Sequence, residues 1–463
     1  MASASAGFEI KDLKFFDVNG KQQKFPVIMH IQYEEDIFLP FVYASLIVND
    51  SSSNILASLP IQGGEKIELT VATGDGTFEY SFVIFDIAKR TSTERVQLYN
   101  LQLISEAALM SESIRPREIF IGRADEIAAN LLTNSEYLGI DSTKIFLEQT
   151  QFKTKLIADG TRNPFNIINQ LAYESVPEKS TFSTNNTNVK SGESKQSTGT
   201  SGYLFYENRE GYHFKSVDRL CARRNNDAGF EGDDPVAKYI YSQSNTGTEQ
   251  DDVIAKFSIS EYSFDREINV LDNLRKGTYS SMYCYYNVST GKYEEYQYSM
   301  ADTFNSMVKL GSQKKLGSRQ IDLSKTPTKI MSKLLDHETW YNGEGIASPE
   351  EGDGGDGSND ITDSTKFYAS QSIARIGILG TYKLTIIVPA NPKLMVGQKV
   401  EVMLPNMVPG DEKTTQQYDE ENSGMYLISH IQHRFDPTSG NSISQLSLMR
   451  DSMGMVDMGS NAK

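Results

Sequence analysis

Gly397-Gln-Lys-Val-Glu-Val-Met-Leu404, Tyr426-Leu-Ile-Ser-His-Ile-Gln-His433 and Ile443-Ser-Gln-Leu-Ser-Leu-Met-Arg450 follow one another late in the chain. Three stretches of the same kind stand early: Gly64-Glu-Lys-Ile-Glu-Leu-Thr-Val71, Tyr80-Ser-Phe-Val-Ile-Phe-Asp-Ile87 and Val96-Gln-Leu-Tyr-Asn-Leu-Gln-Leu103. Both first stretches open with Gly, an acidic or amide residue and Lys, then alternate: Ile67, Leu69 and Val71 in one, Val400, Val402 and Leu404 in the other. Alternation with period two marks a strand buried on one face. The spacing from second to third stretch is nearly the same in both copies, and the late copy carries a longer polar loop from Val408 to Ser423. Loops absorb insertions and strands do not, so one β-module is expected twice.

Outward from this repeat, 463 residues exceed what one core holds. Hydrophobic content of 38%, with 24 Tyr and 22 Phe, suits a folded β-rich soluble chain better than a disordered one. A net charge of -16 disfavours holding nucleic acid or an anionic membrane. Two cysteines, Cys221 and Cys284, make no disulfide framework and are expected buried and reduced. No window reaches the length of a membrane-spanning helix and the N-terminus lacks signal-peptide features, so synthesis in a cytoplasm is expected.

Phe8 to Asp17, Val27 to Tyr33 and Val42 to Asn49 alternate as strands and lead into the early module, giving a first β-domain over 1–109. Ser111 to Arg117 reads as a polar link. A middle α+β domain over 110–235 holds a helix at Ala124 to Leu132, a second capped by Asn163 with Pro164 in its first turn, and a hairpin from Tyr203 to Lys215. Ser180 to Ser201, almost without apolar residues, predicts a mobile loop. Tyrosine-rich strands including Met282 to Tyr286 and Tyr293 to Tyr298 are expected to open a second β-domain made of 236–300 and 366–452. An insertion, 301–365, carries a polar helix at Met300 to Leu310 and an acidic loop over 342–364. A helix from Lys366 to about Leu379 returns the chain to the late module, and 453–463 read as a flexible tail. The fold class is mainly β with α+β insertions: two barrel or sandwich domains related by internal duplication, plus smaller α+β parts.

Chemistry is not where this chain places its specificity. Asp353, Asp356 and Asp360 lack the alternate spacing and closing Glu of a calcium loop. His430 and His433, three apart on a predicted strand, point to opposite faces and share no metal; His213 and His337 have no partner pattern. No phosphate-cradling or nucleophile-elbow motif occurs. No catalytic, cofactor-binding or metal-binding residue and no cofactor are assigned, and the chain is expected not to be an enzyme.

Two stretches carry a family resemblance. One is Ile37-Phe-Leu-Pro-Phe41, Ala44 to Asp50 and Leu56 to Glu65; the other is Ile386 to Asn391, Leu394 to Pro405, Ser423 to Ile428 and Leu448 to Ser452. With the hairpin Tyr203 to Lys215, they make the chain resemble the central baseplate hub proteins of contractile-tailed bacteriophages, the T-even-like group in particular. The resemblance implies two tube-like β-domains per chain and a homotrimer, so that six similar units form a ring. It also implies partners: a spike protein, tail tube or tube-initiator proteins, baseplate wedge proteins, and DNA passing through the lumen without specific binding, all in the tail baseplate of a virion. The alternatives are the hub of a related injection machine (a type VI spike or a tailocin), a tail-borne cell-wall hydrolase with 110–235 as its catalytic part, and a saccharide-binding protein using the tyrosine-rich strands.

Overall fold

The computed structural model describes residues 6–23, 25–50, 61–74, 76–93, 96–151, 153–178, 200–224, 230–241, 257–288, 291, 293–313, 315–335, 361–406 and 418–455. The first strands are β1 (Ala6–Phe16), β2 (Gln22–Gln23), β3 (Val27–Asp36), β4 (Tyr43–Asn49), β5 (Lys66–Thr73), β6 (Gly76–Ser92) and β7 (Gln97–Ile104). The middle of the chain forms α1 (Glu106–Ser113), β8 (Ile119–Arg123), α2 (Ala124–Thr133), β9 (Ile145–Leu147), β10 (Lys153–Ile157), α3 (Pro164–Glu174), β11 (Tyr203–Asn208), β12 (Gly211–Ser216) and α4 (Val217–Cys221). Then come β13 (Ala237–Tyr241), β14 (Ser258–Ile259), β15 (Glu261–Arg266), α5 (Val270–Lys276), β16 (Ser280–Asn287), β17 (Tyr293–Ser299), α6 (Met300–Thr303), α7 (Ser318–Leu323) and β18 (Lys329–Leu335). The chain finishes with α8 (Ile361–Leu379), β19 (Tyr382–Pro389), β20 (Lys399–Met403), β21 (Gly424–Asp436) and β22 (Asn441–Arg450).

The fold is mainly β, and the repeat is real at the level of hydrogen bonds. One unit runs β1-β5-β6-β7-β4-β3 through its pairings, the other β13-β20-β21-β22-β19-β15, with the six strands in the same chain order. Lys66 pairs with Val83 in the first and Lys399 with Leu427 in the second, which sets the equivalence. Two residues on, both long strands bulge, at Phe85 and at Ser429. Gly64 donates its N–H to the Ile84 carbonyl at 2.7 Å, and Gly397 does the same to Ile428 at 3.0 Å. Both glycines sit at positive φ, +91° and +83°, where a side chain is disfavoured. The opening strand breaks the match: β1 is antiparallel to β5, whereas β13 is parallel to β20.

Each unit closes around its own core. Ile31, Leu46, Val71, Leu101 and Leu103 fill the first, and Val388, Val400, Leu427, Leu446 and Leu448 the second. The second ring closes on itself, because the segment of β14 and β15 pairs first with β13 and then with β19. Among the described residues β1 and β3 of the first are not paired with each other, and the distal half of the β21–β22 hairpin fills the space between them. Phe435 on that hairpin is buried in the first core, its ring 5.1 Å from that of Phe8.

The middle region holds the expected helices and hairpin. α2 buries Ile127, Ala128, Leu131 and Leu132, and Asn163 caps α3 by accepting the Asn166 N–H. Three expectations are corrected. Ser111 lies in α1 and not in a link, because its hydroxyl is buried and accepts the Phe165 N–H at 3.3 Å. The tyrosine-rich strands β16 and β17 do not open the second barrel; they form a separate sheet with β18 in the order β17-β16-β18, and Tyr285 and Tyr298 are buried in it. Finally, the helix from Met300 stops at Thr303. Beyond it, buried carboxylates capture the backbone, Asp218 taking the Val308 N–H and Asp451 that of Leu310.

The 408–423 loop lies outside the described residues over 407–417, as do 179–199 of the Ser-rich loop and 336–360, which include the aspartates considered for calcium. The start of the tail is held: Gly454 and Met453 accept N–H groups from Ser312 and Gln313. Among the described residues no helix is long and apolar enough to cross a membrane.

Candidate assembly surface

The shared hairpin makes one continuous sheet of the two barrels, in the order β15-β19-β22-β21-β3-β4-β7-β6. Side chains alternate across it. One face carries Ile431, Phe435, Ile31, Leu46, Leu101, Leu446 and the rest of both cores. The opposite face carries Gln445 and Gln432 beside Glu34, then Arg434 beside Gln32, Ser45 and Gln102, in rows that run straight from one barrel into the other.

These polar side chains are tied to one another. Gln32 and Gln432 donate to Glu34, and Arg434 donates to Gln432 and Gln445. His430 stands 3.6 Å from Glu34, and its bond, with those from the two amides, holds the Glu34 carboxyl down at about 2. Glu34 therefore stays ionised across the physiological range. Beyond this ladder the face bears Asp86 on β6, and on its far side Asp265, which accepts from Thr385. It is a hydrogen-bonded surface of amides, hydroxyls and a few charges.

Two buried polar clusters fix the barrels to the middle region. Glu35, on the core side of β3, accepts the Val396 N–H of the second barrel at 2.8 Å, the Arg209 N–H of the middle hairpin at 2.9 Å and the Tyr33 hydroxyl at 2.6 Å. Glu207 on β11 accepts the Val42 N–H at 3.0 Å. Burial outweighs these donors and pushes both carboxyls up to about 7. Elsewhere Arg375 of α8, wholly buried, bridges Asp218 at 3.2 Å and Asp451 at 2.9 Å, and donates to the Val308 carbonyl at 2.6 Å. Lys399 reaches the last carbonyls of α4, Leu220 at 3.0 Å and Ala222 at 2.6 Å, where a cation suits the helix end. Replacing one partner of such a pair leaves a buried charge alone, so these groups set the relative placement of the bodies they join.

Of the residues weighed for chemistry that are among the described residues, the structure brings none into a site. His433 is buried with Nδ1 2.7 Å from the Ser444 hydroxyl, on the face opposite His430. His213 is buried at 2.9 Å from Asn208, and His337 lies outside the described residues. Cys221 is buried with its thiol pushed up by burial, while Cys284 is half-exposed, against the expectation that both are buried. Among the described residues no cluster of His, Cys, Asp or Glu has the arrangement to hold a metal. Sequence reading passed over the ladder of Gln32, Glu34, Gln432 and Gln445. Its one signal was amides at alternate positions on several strands, and strand order alone makes these adjacent.

No family model and no curated protein matches this chain. Solved structures do. A tail protein from Neisseria meningitidis is similar at 10% identity, with 96% of this chain and 97% of that one covered and a TM-score of 0.49. The 43 kDa tail protein of a Shewanella oneidensis prophage is similar at 9% identity, with 96% and 98% covered and a TM-score of 0.49. A protein of Escherichia coli described as a component of the type VI secretion system is similar at 9% identity, with 96% and 76% covered and a TM-score of 0.40.

Proposed function

We propose that this chain is a structural subunit of a contractile tail, and that three copies form the hub ring joining a sixfold tube to a threefold spike. The observation that carries the reading is the continuous sheet built from two equivalent groups of four strands, β3, β4, β7 and β6 in one and β15, β19, β22 and β21 in the other. Two near-equivalent units per chain turn threefold symmetry into approximate sixfold symmetry, which lets one ring face partners of both kinds.

The reading also assigns the faces. Both barrels stand on the same side of the shared sheet, so a ring closed through that sheet has room for them only outside. The ladder of Gln32, Glu34, Gln432 and Gln445 then lines the bore. In this wall Glu34 is ionised and the Arg434 guanidinium is taken up by Gln432 and Gln445, so little cationic surface is left to hold DNA, which suits passage without binding. The proposal gives the chain no reaction of its own, and names the spike, the tube or its initiator and the baseplate wedge as protein partners.

Light scattering on the purified chain tests it. A mass of three chains is expected at high protein concentration. A mass of one chain at every concentration overturns the ring.

A further inference from the structure

Outside both barrels, β16, β17 and β18 form a sheet of their own, and its outer strand β18 is bonded on one side only among the described residues. β18 runs parallel to β16 in unbroken register from Lys329 to Leu335, with no bulge and no proline. Side chains alternate across the sheet. One face carries Tyr285 and Tyr298, both buried. The other carries Ile330 beside Met282 and Leu334 beside Tyr286. Ile330 is 64% exposed and Leu334 72%, the highest values of any large apolar side chain among the described residues. An open edge beside uncovered apolar side chains marks an interaction site.

Charge selects the kind of strand that fits. In a chain of net charge -16, the stretch from Lys315 to Lys333 contains Lys315, Arg319, Lys325, Lys329 and Lys333 against one acidic residue, Asp322. The end of α5 brings Arg275 and Lys276 to the same place. There the Thr328 hydroxyl donates to the Leu274 carbonyl at 2.7 Å, and a methyl at Gly277, just past α5, would lie 2.8 Å from Lys329 Cβ. Asp272 holds Lys276 at 2.8 Å and Asp322 holds Lys325 at 2.7 Å, whereas Arg275, Arg319 and Lys329 make no ion pair among the described residues. The opposite edge strand of the sheet, β17, bears the exposed Glu295 instead. Lysine on an edge turns away strands that bring no negative charge, so the edge of β18 is closed to most sequences and open to acidic ones.

We propose that β18 is the docking edge for an extended acidic segment of a partner protein, which adds to this three-stranded sheet as a further strand. Alternation dictates the sequence of that segment. Its side chains on the side of Ile330 and Leu334 rest on apolar surface and are apolar, while those on the opposite side meet Lys329 beside the end of α5 and are Asp or Glu. Main-chain hydrogen bonds to the outward N–H and C=O groups of β18 hold the strand, whichever way it runs. The site lies on neither barrel, so it stands whether or not three copies close into a ring.

A labelled peptide of alternating valine and glutamate, as long as β18, tests the proposal by fluorescence anisotropy on the full chain. Saturable binding is expected, about tenfold tighter than that of an alternating valine–lysine peptide. The same acidic peptide with a central proline, which cannot complete the ladder, should bind weakly too. In the complex, amide exchange should slow over 329–335. Arg275→Glu with Lys329→Glu should reverse the order of the acidic and basic peptides, and Leu334→Glu should weaken the acidic one about tenfold. No binding of the acidic peptide, equal binding of the acidic and basic ones, or slowed exchange elsewhere and not in β18 overturns the proposal. So does binding that appears only after 342–360 are replaced by a glycine–serine linker, which assigns the edge to the chain's own acidic stretch. The exchange measurement uses the natural chain, so the outcome does not depend on the variants folding.

Discussion

The first barrel has the edge of β3 covered by a hairpin that belongs to the second, and the second has no described cover for the matching strand β15. Both share strand order, the bulge at Phe85 or Ser429 and the glycine that precedes β5 or β20. The same local architecture therefore serves two situations, one in which the edge is covered within the chain and one in which it is open among the described residues. What differs is the side chains at equivalent places. Phe435 is buried in a core where its counterpart Ser92 is exposed, and His433 is buried where a second bulge of β6 sets the exposed pair Lys89 and Arg90. Evolution of one unit toward an internal contact and the other toward an open edge would produce this division.

The sharpest way to break the comparison is at that pair. Phe435→Ala empties part of the first core and should cost about 3–5 kcal/mol in denaturant unfolding. Ser92→Ala, at the exposed end of a strand whose outer half is paired on one side only among the described residues, should stay within about 0.5 kcal/mol. Equal effects would mean that the distal halves of the two hairpins are not used differently.

Titration probes the same contact. Glu35 and Glu207, pushed up to about 7 from 4.5, bind protons more tightly folded than unfolded. Their contribution is full below about 4.5 and is lost as pH rises toward 7. His213 and His433, pushed by burial down to about 3 from 6.5, act in the opposite sense. Theirs is full above about 6.5 and is lost as pH falls toward 3. Between about 4.5 and 6.5 the two pairs oppose each other, and stability of the natural chain should vary little on their account. Glu35→Gln should leave a curve that rises with pH by about 3 kcal/mol across this window, and His433→Gln one that falls by as much. Parallel curves for both variants would show that these groups do not carry the pH dependence.

The smallest contrast lies at the opening glycines. A methyl at Gly397 would meet the Tyr206 hydroxyl of the middle hairpin at 2.1 Å, whereas at Gly64 nothing lies within 4 Å. Gly64→Ala should cost about 1 kcal/mol for its left-handed backbone alone. Gly397→Ala adds the overlap and should cost about 2–3 kcal/mol in all. The difference between the two midpoints in a urea titration measures how tightly the middle region is packed on the second barrel.

Much of this was legible from residues. The alternation of Ile67, Leu69 and Val71 and of Val400, Val402 and Leu404 announced the repeat, because a half-buried strand writes its pattern locally. Asn163 and Pro164 announced α3 for the same reason, since a cap satisfies N–H groups one turn away. Tyrosine content misled, placing β16 and β17 in the second barrel. Their alternation reports a half-buried sheet and says nothing of which sheet, and the partner that decides the matter, β18, lies more than thirty residues further on.

By itself, then, the sequence determined that two like β-units exist, roughly where each strand of the repeat lies, and that no metal or nucleophile pattern is written in the chain. Only the tertiary structure decided that β21 and β22 serve both barrels, that Gln32, Glu34, Gln432 and Gln445 stand in one ladder, and that among the described residues the outer half of β6 and β15 have open edges. The physical reason is range. Strand periodicity is set by neighbours two residues away, whereas Gln432 meets Glu34 across 398 positions of chain, through a register that closes only once both barrels have folded around their cores.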